Sequence, residues 1–123
     1  MHRFKYRNGQ LQCEQVRVAD VAQKVGTPLY LYSHGTILDH FKKIRSAFAP
    51  IKPLICFAMK ANSSMAICRA LAKAGAGFDI VSGGELQKAL RVGADPKKIV
   101  YASVGKTTRE IEQALKAGIL SFN

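Results

Sequence analysis

The sequence predicts an α/β protein: the N-terminal portion, about half, of a parallel (β/α)₈ barrel, entered through a short β-hairpin. Three observations carry that reading. Short apolar runs alternate with segments whose apolar residues recur at helical spacing, and each such segment stops at a glycine (Gly75, Gly93, Gly118) just before the next run. Successive runs begin roughly 20 to 25 residues apart, which fits short parallel strands joined by crossover helices. No G-x-G-x-x-G or P-loop opens any helix, and Gly83-Gly84 is a poor match to either, which favours a barrel over an open doubly wound sheet.

Taken in order, Phe4-Lys5-Tyr6-Arg7 and Gln10-Leu11-Gln12-Cys13 flank Asn8-Gly9, the signal of a two-residue hairpin whose turn positions need positive φ. Val18, Val21, Ala22 and Val25 predict a helix that stops at Gly26. Thr27-Pro28 breaks the chain, and Leu29-Tyr30-Leu31-Tyr32 reads as a short strand. Ser33 or Thr36 can cap the next helix, whose apolar face runs through Ile37, Phe41, Ile44 and Phe48 and which Pro50 and Pro53 end. A buried strand is then expected over Leu54 to Met59, with Lys60 at its end.

Three β-α repeats follow. Ile67, Leu71 and Ala74 mark one helix before a strand from Phe78 to Val81. Leu86, Ala89 and Leu90 mark a second, before a strand from Ile99 to Ala102. Ile111, Ala114 and Leu115 mark a third, before Ile119 to Phe122. The organisation expected is residues 1–32 as hairpin, helix and lead-in strand, and residues 33–123 as partial barrel. A complete barrel typically needs about 250 residues. The chain reaches Asn123 directly after an apolar strand, so it reads as the N-terminal part of a longer protein, with an unpaired edge that favours association.

Composition narrows the function classes. At 48% apolar residues the chain has the makings of a real core, and it holds no apolar run long enough for a membrane span and no signal peptide, so a cytoplasmic location is expected. The net charge of +11 invites a nucleic-acid reading, but the basic residues are dispersed, with no block longer than Lys42-Lys43 or Lys97-Lys98 and no zinc finger or aromatic platform beside them. Solvated helix faces account for them better, and neither nucleic acid nor membrane is an expected partner. Cys13, Cys56 and Cys68 form no C-x-x-C pair and lie at no ligand spacing to His2, His34 or His40, so neither a disulfide framework nor a metal site is expected. Cys56 and Cys68 sit in apolar surroundings, as small core residues do.

Reactive groups of a parallel barrel gather at the C-terminal ends of its strands. Those ends hold Lys60 with Asn62, then Asp79 to Ser82 with Glu85 beyond, then Ser103 to Lys106, then Asn123. A strand-ending lysine is either a solvated charge or an amine held for Schiff-base chemistry with an aldehyde cofactor; position alone leaves both open. Ser82 and Glu85 stand at capping-box spacing, which assigns Ser82 to a helix N-terminus. For Asp79, a strand-end role and a cofactor role stand equally.

Four segments decide between these. Gly26 to Tyr32, Phe57-Ala58-Met59-Lys60-Ala61-Asn62, Gly75 to Leu86 and Tyr101 to Thr107 resemble, in order, the N-terminal part of the diaminopimelate decarboxylase family. That family belongs to the fold-type III pyridoxal-phosphate enzymes, which share an alanine racemase-like barrel. Phe57 and Met59 stand where the family usually has Tyr and Val, both apolar changes of little consequence.

The resemblance implies pyridoxal 5'-phosphate as cofactor, Lys60 as the catalytic residue that holds it, Asp79 as a carboxylate close to it, and Glu85 as an acidic residue one layer further out. It implies release of CO2 from meso-diaminopimelate to give L-lysine, in lysine biosynthesis, by a homodimer. Another basic amino-acid decarboxylase, a racemase, or a non-catalytic barrel that binds the cofactor are the alternatives. The family's ring-stacking His, its glycine-rich phosphate loop, the Glu that pairs with the pyridine nitrogen and its substrate-binding arginines match nothing up to residue 123. These 123 residues alone are therefore expected to be inactive.

Overall fold

Asn8 and Gly9 both take left-handed backbone, with φ of 49° and 72°, as a two-residue hairpin linking right-twisted strands requires. They join β1 (Phe4–Arg7) to β2 (Gln10–Cys13), antiparallel, with Arg7 opposite Gln10. The computed structural model describes residues 2–123, divided into one unit ending at Ile44 and a second spanning Arg45–Asn123.

In the first unit a third strand, β3 (Val16–Arg17), extends the hairpin sheet on the β2 side. It is too short to carry a sequence signal. Helix α1 (Val18–Val25) follows and ends at Gly26 as expected. The strand expected at Leu29-Tyr30-Leu31-Tyr32 does not form. Neither sheet takes it in, and Tyr30 is 92% exposed. Aromatic and branched residues favour extended backbone, but a strand exists only where a neighbour accepts its ladder.

Of the two capping candidates the structure selects Ser33. Its Oγ accepts from Thr36 N at 3.0 Å as α2 (His34–Ala47) begins. Ser33 Oγ in turn donates to Glu14 Oε1 at 2.6 Å, and Gly35 N donates to the same oxygen at 2.7 Å. A carboxylate thus sits on the electropositive end of α2, and these bonds hold the Glu14 carboxyl below its ordinary pKa. The apolar face read for this helix is only partly used: Phe41 is buried, whereas Ile44 and Phe48 are about half exposed.

The second unit is a parallel sheet in sequence order, β4 (Cys56–Ala58), β5 (Gly77–Ile80), β6 (Ile99–Tyr101) and β7 (Ser121–Phe122). Crossovers are α3 (Met65–Lys73), α4 (Gly83–Arg91) and α5 (Thr108–Ala117). After each helix Gly75, Gly93 or Gly118 takes φ of 93°, 84° or 70°, a left-handed turn that side chains resist and that points the chain back toward the sheet.

The pairing register sorts side chains into two faces. Phe57, Phe78 and Ile99 are aligned across the sheet, as are Ile80, Tyr101 and Phe122. Phe78, Ile80, Ile99 and Tyr101 are fully buried and share the core with Cys68, Leu71, Leu86, Ala89 and Ala114 from the helices. Cys56 with Gly77, and Ala58 with Asp79 and Val100, line the other face, which is less covered.

Three expectations need correction here. The Leu54 to Met59 run pairs only over Cys56–Ala58; Leu54 is exposed, and Met59–Ala61 turns into a 3-10 segment, so Lys60 stands two residues past the strand's last residue, on that turn. Cys56 is half-buried rather than core, because alternation along β4 puts it on the less covered face. On α5, Ala114 is buried but Leu115 is 64% exposed, because a helix residue is buried only where something packs on it.

Gly77 has a separate steric reason. A Cβ there would meet the Lys98 carbonyl oxygen and lie 2.8 Å from Cys56 Sγ.

Candidate functional site

Because the strands are parallel, their C-terminal ends share one rim, and the residues read as functional fall along it. Lys60 is exposed on the 3-10 turn after β4, and that turn packs against β5. Asn62 shapes the exit, its Oδ1 accepting from Ser64 N at 2.9 Å as the chain turns into α3. Asp79 lies on the neighbouring strand directly opposite Ala58, two residues before Lys60, on the less covered face.

Asp79 Oδ1 is buried and has no hydrogen-bond partner among the described residues. An unpaired buried acceptor costs free energy, so this oxygen is set to receive a donor from elsewhere. Its charge is also felt at Cys56, whose thiol pKa is pushed up, chiefly by burial and then by Asp79.

Glu85, expected one layer further out, is engaged within its own loop. Its Oε2 accepts from Val81 N at 2.8 Å, tying the first turn of α4 to the end of β5. Ser82 caps α4 as expected, its Oγ accepting from Glu85 N at 3.2 Å, but Glu85 reaches past the cap to Val81, so the reciprocal box is not formed.

The full box occurs one unit later, where the sequence reading missed it. Thr107 Oγ1 accepts from Glu110 N at 3.3 Å, and Glu110 Oε2 accepts from Thr107 N at 2.9 Å. Thr107-Thr108-Arg109-Glu110 carries the signal in plain form. What the signal does not contain is the other oxygen of the same carboxylate, which accepts from Gly83 N at 2.7 Å, 27 residues away. The small residues opening α4 therefore do not present that amide to an outside anion. It is already filled.

These bonds, first the Thr107 and Gly83 amides and then the Thr107 hydroxyl, lower the Glu110 pKa from 4.5 to about 2. A proton binds the unfolded chain first, so this stabilisation is complete above about pH 4.5 and is lost as pH falls through about 2. Acid unfolding followed by circular dichroism is expected to show it: Glu110→Gln should lose less stability than the wild type between pH 4.5 and 2. Equal acid sensitivity of the two proteins would contradict the assignment.

Tyr101 completes the surroundings. Its hydroxyl is buried without a well-formed hydrogen bond, and burial, then the nearby Glu110 and Glu85 carboxylates, push its pKa up to about 12. Lys106 covers its ring at 5.5 Å, with Nζ donating to the carbonyl oxygens of Ser103 at 2.5 Å and Asn123 at 2.8 Å. That second rim amine is committed to holding the ends of β6 and β7. The arrangement offers one exposed primary amine and one unpaired carboxylate oxygen on adjacent strand ends.

Comparison with known proteins gives this arrangement a context. Residues 34–123 match the family model described as the pyridoxal-binding domain of pyridoxal-dependent decarboxylases. The chain is 47% identical over 113 residues to the diaminopimelate decarboxylase of Neisseria meningitidis serogroup A, covering 92% of this chain and 28% of that protein. It is 46% identical over 124 residues to that of Vibrio cholerae, covering all of this chain and 30% of that protein. Its fold is similar to the crystal structure of M. jannaschii diaminopimelate decarboxylase in co-complex with L-lysine, with a TM-score of 0.93 at 35% identity over 98% of this chain and 29% of that one. The chain thus spans less than a third of the length of the curated relatives it matches.

Proposed function

Because the chain belongs to the pyridoxal-dependent decarboxylases, whose cofactor is pyridoxal phosphate, we propose that it provides the cofactor-anchoring part of a diaminopimelate decarboxylase. Such an enzyme releases CO2 from meso-diaminopimelate and leaves L-lysine. The observation that carries this reading is that the exposed Lys60 and the partnerless carboxylate oxygen of Asp79 stand at the ends of adjacent strands on one rim. Likeness to diaminopimelate decarboxylases over nearly the whole chain supports the choice of substrate.

The residues present fit the group. Lys60 Nζ would anchor it covalently, as a primary amine with open access does. Asp79 Oδ1, which lacks a donor, would accept a hydrogen bond from it or from a proton held on the anchored nitrogen. When bound, the cofactor draws off the electron pair left on the substrate carbon as CO2 departs. The fold's own share is orientation: Glu85 and Ser82 hold the β5–α4 loop, and Lys106 holds the ends of β6 and β7. Glu85 supports the site through Val81 in this reading, one layer removed from the reacting atoms.

The division into a lead-in of residues 1–32 and a barrel part of residues 33–123 belongs to the same proposal. The start of the family match at residue 34 supports it. A homodimeric, cytoplasmic enzyme is the assembly we propose; no helix among the described residues is long and apolar enough to cross a membrane.

The test is to supply meso-diaminopimelate to the intact protein, as its native source makes it, and assay CO2 and L-lysine. Both are expected in equal amounts. CO2 release from ornithine or lysine instead, with none from meso-diaminopimelate, would move the assignment to another basic amino-acid decarboxylase. The 123 residues by themselves are expected to show no turnover above a Lys60→Ala control.

A further inference from the structure

Among the described residues three side-chain hydrogen bonds hold the β5–α4 loop, and one of them comes from outside the loop and α4. Val81 N is taken by Glu85 and Glu85 N by Ser82, both within the loop and the first turn of α4. Gly83 N donates to Glu110 Oε1, the longest-range tie in the loop.

The fit at that point is tight. A Cβ on Gly83 would lie 2.9 Å from Glu110 Cγ and 3.2 Å from Glu110 Oε1. Gly83 and Glu110 therefore read as a matched pair, the missing side chain making room for the carboxylate. Glu110 is itself fixed by Thr107 through both the backbone amide and the hydroxyl at 2.9 Å. A carboxylate held this way is a rigid strut between the N-termini of α4 and α5, both of which face the rim where Lys60 and Asp79 stand.

We propose that Glu110 is a positioning residue for the cofactor site, bracing the β5–α4 loop through Gly83 and so holding the Asp79 carboxylate on the rim. The inference rests on the proposed cofactor role of Lys60 and Asp79. Gly83 lies four residues past Asp79 with only Ile80, Val81 and Ser82 between them, so a shift of the helix start is passed directly into the strand end. Helix amides left without an acceptor must find water or re-form, and either loosens the entry to α4. Glu110 touches neither Lys60 nor the reacting atoms; it acts through the loop.

The experiment compares Glu110→Ala, Glu110→Gln and Thr107→Val with the wild type in the intact protein. Thr107→Val removes the hydroxyl that caps α5 and one of the two ties on Glu110, but keeps the Thr107 amide tie and the carboxylate for Gly83, and so serves as the control for a weakened cap with the Gly83 bond intact. Two readouts are taken: hydrogen exchange at the Val81 and Gly83 amides without cofactor, and the yield of pyridoxal phosphate fixed on Lys60 by borohydride, read by mass. Relative to Thr107→Val, Glu110→Ala is expected to exchange Gly83 about tenfold faster and to need about tenfold more cofactor for equal labelling. Glu110→Gln keeps one oxygen for Gly83 and is expected to recover most of both.

Exchange or labelling in Glu110→Ala that matches Thr107→Val would overturn the positioning role while leaving the functional reading intact. Wild-type labelling no greater than that of Lys60→Ala would instead sink the functional reading, and this one with it.

Discussion

Replacing Lys60 by Ala is expected to abolish cofactor attachment and to lower decarboxylation by the intact protein by on the order of 10³-fold or more. The loss should be large because the other amines near the rim are already engaged, Lys88 Nζ donating to Ser63 Oγ at 2.8 Å. Lys106 is the alternative by position, but its Nζ is already donated to two carbonyl oxygens and its chain lies over Tyr101. Moving it to the β4 end would release the ends of β6 and β7.

Lys60→Arg sharpens the test. Arginine keeps the positive charge but stays protonated and cannot act as an amine nucleophile, so it should be as inactive as alanine. If arginine retained substantial activity, charge rather than covalent anchoring would be the role of residue 60. Because Lys60 is exposed, neither change should alter stability by more than about 0.5 kcal/mol. A loss of activity accompanied by unfolding would therefore not count in favour.

The largest expected effect on stability is at Phe78. It is fully buried in the second strand of the parallel sheet and meets Phe57 edge-on, with ring centroids 6.5 Å apart at 88°. Phe78→Ala removes the ring and leaves a cavity that the flanking strands cannot close, at a cost of about 3–5 kcal/mol. Small domains are stable by only about 5–15 kcal/mol, so the variant should lose a large share of its stability. Leu115→Ala supplies the contrast. The sequence pattern would put Leu115 in the core, but it is largely exposed, and its loss should cost about 0.5 kcal/mol or less. Urea denaturation of both variants decides the point: similar midpoints would mean that Phe78 is not packed in the core and Leu115 is not exposed.

The contrast between Phe78 and Leu115 also shows how far a sequence reading reaches. Both are apolar residues at the right spacing for their elements. Phe78 is buried because strands on both sides carry Phe57 and Ile99 into line with it. Leu115 is not, because helical spacing says which side of α5 is apolar but not whether that side meets another element. The same limit explains Leu29 to Tyr32, whose composition favours a strand that has no ladder partner among the described residues.

At the site, Lys60 and Asp79 could be placed on one rim from sequence alone, because parallel β-α units bring every strand end to the same side. Glu85 could be placed near them, but its acceptor role toward Val81 could not be foreseen from a spacing that equally suits a cap. Glu110 was within reach as a capping-box residue and out of reach as a strut.

What the sequence determined by itself was what short stretches encode. The Asn8-Gly9 turn, the glycine stops at Gly75, Gly93 and Gly118, and the order of strands and helices follow from backbone preferences and periodicities that act over a few residues. The likeness of its four segments to known decarboxylases belongs to the same class. The tertiary structure alone decided which apolar faces are covered, which extended segment gains a partner, and where each carboxylate finds its donors. Those outcomes depend on groups as distant in sequence as Gly83 and Glu110, 27 positions apart. A hydrogen bond of that span forms only once the fold has brought its two ends together, and neither end carries its partner's position in its own sequence.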